Sequence, residues 1–141
     1  MKPEMEVEFC IFGTRLLPEE ITRLVGIHPT RTWNVGEFIQ RNIGGVIQNS
    51  KIQRKENAWC LSVNNDSDNI DLAKPIKQLL QIVMPKANII RKMCDEFDLE
   101  CELGCAIYIK DETPILNFTP DVFSDLAELK ATLDFDIILL G

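Results

Sequence analysis

Period-two alternation along four short stretches restricts what this chain can fold into more than any other feature. Met5, Val7, Phe9 and Ile11 alternate with Glu4, Glu6 and Glu8, and Trp59, Leu61 and Val63 with Cys60 and Ser62. Leu99, Cys101, Leu103, Cys105, Ile107 and Ile109 share a stretch with Glu100 and Glu102; Leu133, Phe135, Ile137 and Leu139 alternate with Asp134 and Asp136. Successive side chains of a strand point to opposite faces, so each stretch predicts a strand with one apolar and one polar side. Strands of that kind suit a sheet covered on one face and bare on the other.

Helical signals fill the gaps. Pro18 suits the first helical position, and Glu19 and Glu20 sit where the helix dipole favours negative charge. Ile21, Leu24 and Val25 form one apolar face, Gly26 is placed for a left-handed stop, and Pro29 prevents the helix resuming. Leu72, Ile76, Leu79, Leu80 and Val83 recur at helical spacing. Pro85 interrupts them, and either a second helical piece carries Ile89, Ile90, Met93, Cys94 and Phe97 or the two form one kinked helix. Thr119, Pro120 and Asp121 read as cap, proline and acid at a third helix start, with Val122, Leu126 and Leu129 on its buried side. Between Gly26 and Asn57 lies a long polar connection, with short hairpin strands expected at Val35, Phe38–Ile39 and Val46–Ile47 around Gly44-Gly45.

The predicted architecture is a single α+β domain over residues 1–141, a mainly antiparallel sheet with helices packed on one face. Because a strand and a proline-started helix occur near both ends, a ferredoxin-like duplication of strand–helix–strand units is the specific arrangement expected. With 141 residues and a 45% apolar share, there is enough material for one core. The opening MKPEMEVE has no apolar leader, and the run Ile137–Leu140 is too short to span a bilayer. Five cysteines without a CxxC predict reduced thiols and a cytoplasmic protein.

Charge is uneven. Residues 1–92 carry 13 basic and 10 acidic side chains, whereas residues 93–136 carry 2 and 12. A chain with net charge −7 lacks the basic surface that nucleic-acid binding requires. Arg41, Lys51, Arg54 and Lys55 are read as a solvated loop face without stacking aromatics.

No motif for catalysis or a cofactor is present. His28 is the single histidine and lies in a turn between Ile27 and Pro29, so a Ser-His-Asp or Cys-His arrangement has nothing else to use. Cys101 and Cys105 lie on a predicted strand, about 13 Å apart at roughly 3.3 Å per residue, too far to share one zinc. They read as core thiols, while Cys10 and Cys60 lie on the less apolar faces of their strands. Asn64, Asp66 and Asp68 resemble the start of a calcium loop, but Asn69 and Pro75 stand where glycine and an acid are needed. A polar turn with Asn69 or Asp71 capping the next helix explains them.

Two constellations are left. Thr30, Arg31, Trp33 and Glu37, with Trp59 close by, would let an arginine bind a carboxylate or phosphate against an aromatic wall. The bland reading makes Trp33 a plug and pairs Arg31 with Glu37. The second constellation is an acidic sheet face of Glu4, Glu6, Glu8, Glu100, Glu102, Asp134 and Asp136. Like charges directly opposed on neighbouring strands repel by a few tenths to about 1 kcal/mol per pair. Loop cations such as Lys51 and Lys55, or an outside partner, are expected to offset that.

The segments Phe9-x-Ile11-x-Gly13, Pro18-Glu19-Glu20-Ile21-Thr22 and Gly26-Ile27-x-Pro29-Thr30-Arg31-x-Trp33-x-x-Gly36-Glu37 resemble the bacterial domain-of-unknown-function family 4279. Trp59-x-Leu61, Leu126-Ala127 and Asp134-x-Asp136-Ile137 are similar to that family's later segments. The resemblance implies a bacterial origin but no activity or catalytic residues. Taken together, these readings predict a non-catalytic, inhibitor- or immunity-like protein-interaction module that uses the acidic face on a basic protein partner. No cofactor, metal, nucleic acid or membrane is expected. The other reading is a small-anion or small-ligand sensor centred on Arg31 and Trp33.

Overall fold

The computed structural model describes residues 4–43, 46–63, 71–111 and 113–140. In chain order the elements are β1 (Glu4–Gly13), α1 (Pro18–Val25), β2 (Arg31–Trp33), β3 (Phe38–Ile43), β4 (Val46–Gln53) and β5 (Asn57–Ser62). Then come α2 (Ala73–Val83), a 3-10 turn (Met84–Lys86), α3 (Ala87–Phe97), β6 (Glu100–Ile109), α4 (Pro120–Leu129) and β7 (Ala131–Leu139). All four alternating stretches are strands, and the chain is α+β.

Five strands form one sheet in the order β2-β5-β1-β6-β7; β3 and β4 pair separately as a hairpin. β1 is central because its apolar side must be covered completely: Met5, Val7, Phe9 and Ile11 are buried. It runs antiparallel to β5 and to β6, and β2 is antiparallel to β5. Two crossover units therefore interleave at the sheet centre, β1–α1–β2 and β5–α2–α3–β6, a split β–α–β layout. α4 then carries the chain to β7, which lies parallel to β6 at the edge. The duplication expected from sequence matched α1 with α4, which is not the pairing that interleaves. Similar helix starts report local capping and say nothing about which strands a helix connects in space.

The helices follow their punctuation. The Leu17 N–H donates to the Glu20 carboxylate at 3.0 Å, closing the first turn of α1. Gly26 stops α1 in the left-handed region at φ 77°, and its N–H donates to the Thr22 carbonyl. Ala73 N–H donates to Asp71 at 3.1 Å ahead of α2. Pro85 breaks the ladder between α2 and α3, where the 3-10 turn takes over. The buried faces of α1 to α4 join the inner faces of β1, β5, β6 and β7 in one core. Each aliphatic side chain fully buried there contributes about 1.5–3 kcal/mol.

The hairpin expected in the 26–57 connection is present as β3–β4, with strands longer than those read at Phe38–Ile39 and Val46–Ile47; Val35 lies outside it, and the short strand β2 precedes it. The Gly44-Gly45 turn and Asn64–Asn69 lie outside the described residues. Two expectations need correction. Phe135, Ile137 and Leu139 lie on the helix side as expected but are 38%, 52% and 77% exposed, because β7 is an edge strand that the helices do not reach across. Finally, Cys10 and Cys60 are not reduced thiols. They are register partners on β1 and β5, with Cα atoms 4.1 Å apart, and they form a disulfide. A cross-link of this kind is unusual in a reducing cytoplasm.

Candidate functional site

The outer face of the sheet collects the carboxylates. Glu6 and Glu8 of β1, Glu100 and Glu102 of β6, and Asp134 and Asp136 of β7 all lie on the side away from the helices. Their register keeps them from meeting head-on. Glu8 and Asp134 both face Gly104, Glu6 and Asp136 both face Ala106, and Glu102 lies between Cys10 and Thr132. A glycine and an alanine thus separate the acids across the central strands, so the directly opposed repulsion expected from sequence does not arise. Diagonal repulsion remains. Burial, followed by Asp134, Glu56, Glu100 and Glu8, raises the Glu102 carboxyl above its ordinary range.

One cation enters this face. Arg31, on the edge strand β2, reaches over β5 to Glu8 on β1, with Nε and Nη2 each 2.7 Å from a carboxylate oxygen. The hydrogen bonds to Glu8 in turn raise the arginine's own pKa. Among the described residues this is the ion pair on the face, so the offset comes from Arg31 rather than from Lys51 or Lys55. Nor does Arg31 pair with Glu37, whose carboxylate accepts the Asn34 N–H instead.

β2 is held in place by its flanks. Thr30 N–H donates to the Cys60 carbonyl at 2.8 Å, and the Thr30 hydroxyl accepts the Ser62 N–H at 2.8 Å. Asn57, the buried polar residue of β5, donates to the Leu16 carbonyl at 3.0 Å and accepts the Val35 N–H at 2.8 Å. It therefore ties the loop before α1 to the loop after β2. Sequence reasoning missed it, since an asparagine before a strand looks like a turn residue.

Beside the acidic face, two guanidinium groups approach the Trp33 ring: Arg54 is 3.8 Å and Arg31 4.9 Å from its centroid. Its ring also tilts against Phe12, at 6.2 Å between centroids. The expectation that Arg54 lacks an aromatic partner is corrected. The hairpin base aligns Gly36 N–H with the Arg54 carbonyl and Arg54 N–H with the Glu37 carbonyl, and this folds Arg54 back onto Trp33. Arg31, Trp33, Glu37, Phe38, Lys51 and Arg54 help line an open cleft of about 860 Å³. Desolvation and the nearby Arg31 lower the pKa of Arg54.

Trp59 is not part of this cleft. It is fully buried on the helix side of β5, and its Nε1–H donates to the Thr22 hydroxyl at 2.9 Å. The expectation that Trp59 joins the Arg31 and Trp33 constellation is thus corrected; its alternation with Cys60 was the signal that could have separated it. The Glu8 carboxylate and the sulfurs of Cys10 and Cys60 lie within 4.8 Å of one another, but the two sulfurs are bonded to each other. Cys101 and Cys105 are buried core thiols, and burial together with Asp134 pushes Cys105 up to about 12. His28 is exposed, and no described helix is long and apolar enough to cross a membrane.

No curated protein and no solved structure matches the chain. A family model does, over residues 3–140, nearly the whole length. The chain belongs to the family described as domain of unknown function DUF4279.

Proposed function

We propose that the outer face of the sheet is a recognition surface for a basic protein partner, and that the protein acts without catalysis, in an inhibitor- or immunity-like manner. The observation that carries this reading is the arrangement of Glu6, Glu8, Glu100, Glu102, Asp134 and Asp136 on the sheet face away from the helices, where, among the described residues, the ion pair is that of Arg31 with Glu8. Uncompensated carboxylates on a face steer a basic partner and are relieved when it docks.

A second reading is a small-anion cleft bounded by Trp33, Lys51 and Arg54. The wall that would recognise an anion bidentately, Arg31, has its fork filled by Glu8, which weakens this reading against the first.

The test is affinity capture from native lysate, comparing the wild-type protein with a Glu6→Gln, Glu102→Gln, Asp134→Asn, Asp136→Asn variant. A basic protein retained by the wild type, released with rising salt and lost in the variant is the expected result. Identical captures by both proteins would sink the reading. For the cleft, inorganic phosphate and small carboxylates would raise Tm in the wild type but not in Arg54→Ala.

A further inference from the structure

We propose that β7 is a docking edge, to which an extended segment of the partner, with alternating basic and apolar side chains, adds as a further strand. This rests on the reading of the acidic face as a recognition surface and specifies how the partner engages it.

β7 is the outermost strand, nine residues long, paired to β6 on one side. Among the described residues nothing pairs with its other side, so one row of backbone N–H and C=O groups is open. Proteins usually blunt such edges with charged side chains, lysine above all, or with prolines, bulges or very short strands. β2, at the opposite edge, is three residues long. β7 carries two aspartates, both on its outer side, but no other such device: its register with β6 runs without a shift from Cys101–Ala131 to Ile109–Leu139, and its sequence ATLDFDIIL holds neither lysine nor proline.

The two sides of the edge specify the occupant. On the helix side Phe135, Ile137 and Leu139 are exposed beside buried Cys105 and Ile107, and Phe118 stacks on Phe135 at 6.0 Å between ring centroids. On the outer side Asp134 and Asp136 are exposed, with Glu102 diagonal to Asp134. A strand laid along this edge meets apolar residues on one face and carboxylates on the other. A second copy fits poorly, because self-pairing through 134–136 sets aspartates against aspartates, which is destabilising. A basic–apolar alternating strand satisfies the backbone, the shelf and the charge together.

The probe is a peptide of about nine residues alternating Lys and Val, matched to the length of β7, and the same peptide N-methylated on alternate residues in each of the two phases. Fluorescence anisotropy is expected to show salt-sensitive binding of the parent peptide. One N-methylated phase should bind about tenfold or more weakly, since the main-chain hydrogen bonds along β7 are removed. Amides of β7 should gain hydrogen-exchange protection with the parent peptide. Equal binding by all three peptides overturns strand addition while leaving the acidic surface intact. Absence of binding by any of them overturns both. A free protein that dimerises through β7 overturns the choice of occupant.

Discussion

Arg31 and Glu8 meet fork to fork, two 2.7 Å hydrogen bonds joining residues 23 apart in sequence and two strands apart in the sheet. The Arg31 side chain is 54% exposed, so solvent screens the pair, and its bidentate geometry is what lifts it above a random surface contact. A double-mutant cycle of Arg31→Ala and Glu8→Gln, read by urea unfolding, should give a coupling of about 1 kcal/mol. Arg31→Lys should recover less than half, lacking the planar fork. Zero coupling would show the pair to be energetically idle.

Glu102 gives a pH-dependent prediction. Its carboxyl is raised in the folded protein, so the folded state holds the proton more tightly than the unfolded chain does. The stability this contributes is complete below the ordinary glutamate range and is lost as pH rises through the raised value. Glu102→Gln removes the penalty at neutral pH and should stabilise the protein there by a few tenths of a kcal/mol, allowing for partial exposure. Thermal melts at pH 7 and pH 4 should show the variant ahead at the higher pH and level with wild type at the lower. An advantage that grew on acidification would contradict the assigned cause.

The Cys10–Cys60 cross-link is directly countable. Alkylation of the unfolded, unreduced chain should label three cysteines, Cys94, Cys101 and Cys105, by mass spectrometry. Five labels would remove the disulfide. Closing a loop with a sequence separation of 50 stabilises by up to about 4 kcal/mol on a chain-entropy argument, so reduction should lower Tm measurably.

The two tryptophans should separate spectroscopically. With Trp33→Phe, the remaining Trp59 is fully buried and should emit at short wavelength and resist acrylamide. With Trp59→Phe, Trp33 at the open cleft should be readily quenched. Trp59→Phe should also cost about 1–3 kcal/mol, because it removes the bond to Thr22 and leaves packing space behind. Similar quenching of both residues would be incompatible with their placement on opposite faces.

Asn57 holds two loops through one buried amide, so Asn57→Leu should destabilise by about 1–3 kcal/mol, leaving the Leu16 carbonyl and Val35 N–H without a partner. Trp33 emission should shift as well, since Val35 and the hairpin base lie next to it. A destabilised variant with unchanged Trp33 emission would limit Asn57 to a stability role.

The sequence by itself determined which residues share a side of a strand and where helices begin and end. Alternation and capping act between covalent neighbours, so Glu102 lies opposite in direction to Leu103, and Pro18 and Gly26 bracket α1, whatever the rest of the chain does. Only the tertiary structure decided strand order and register. Those set Glu8 against Gly104 rather than another acid, brought Cys60 onto Cys10, folded Arg54 over Trp33, and left Phe135, Ile137 and Leu139 at an uncovered edge. The physical reason is that register and order minimise the free energy of the whole packed sheet, and no local pattern in β1 or β7 records which strand will lie beside it.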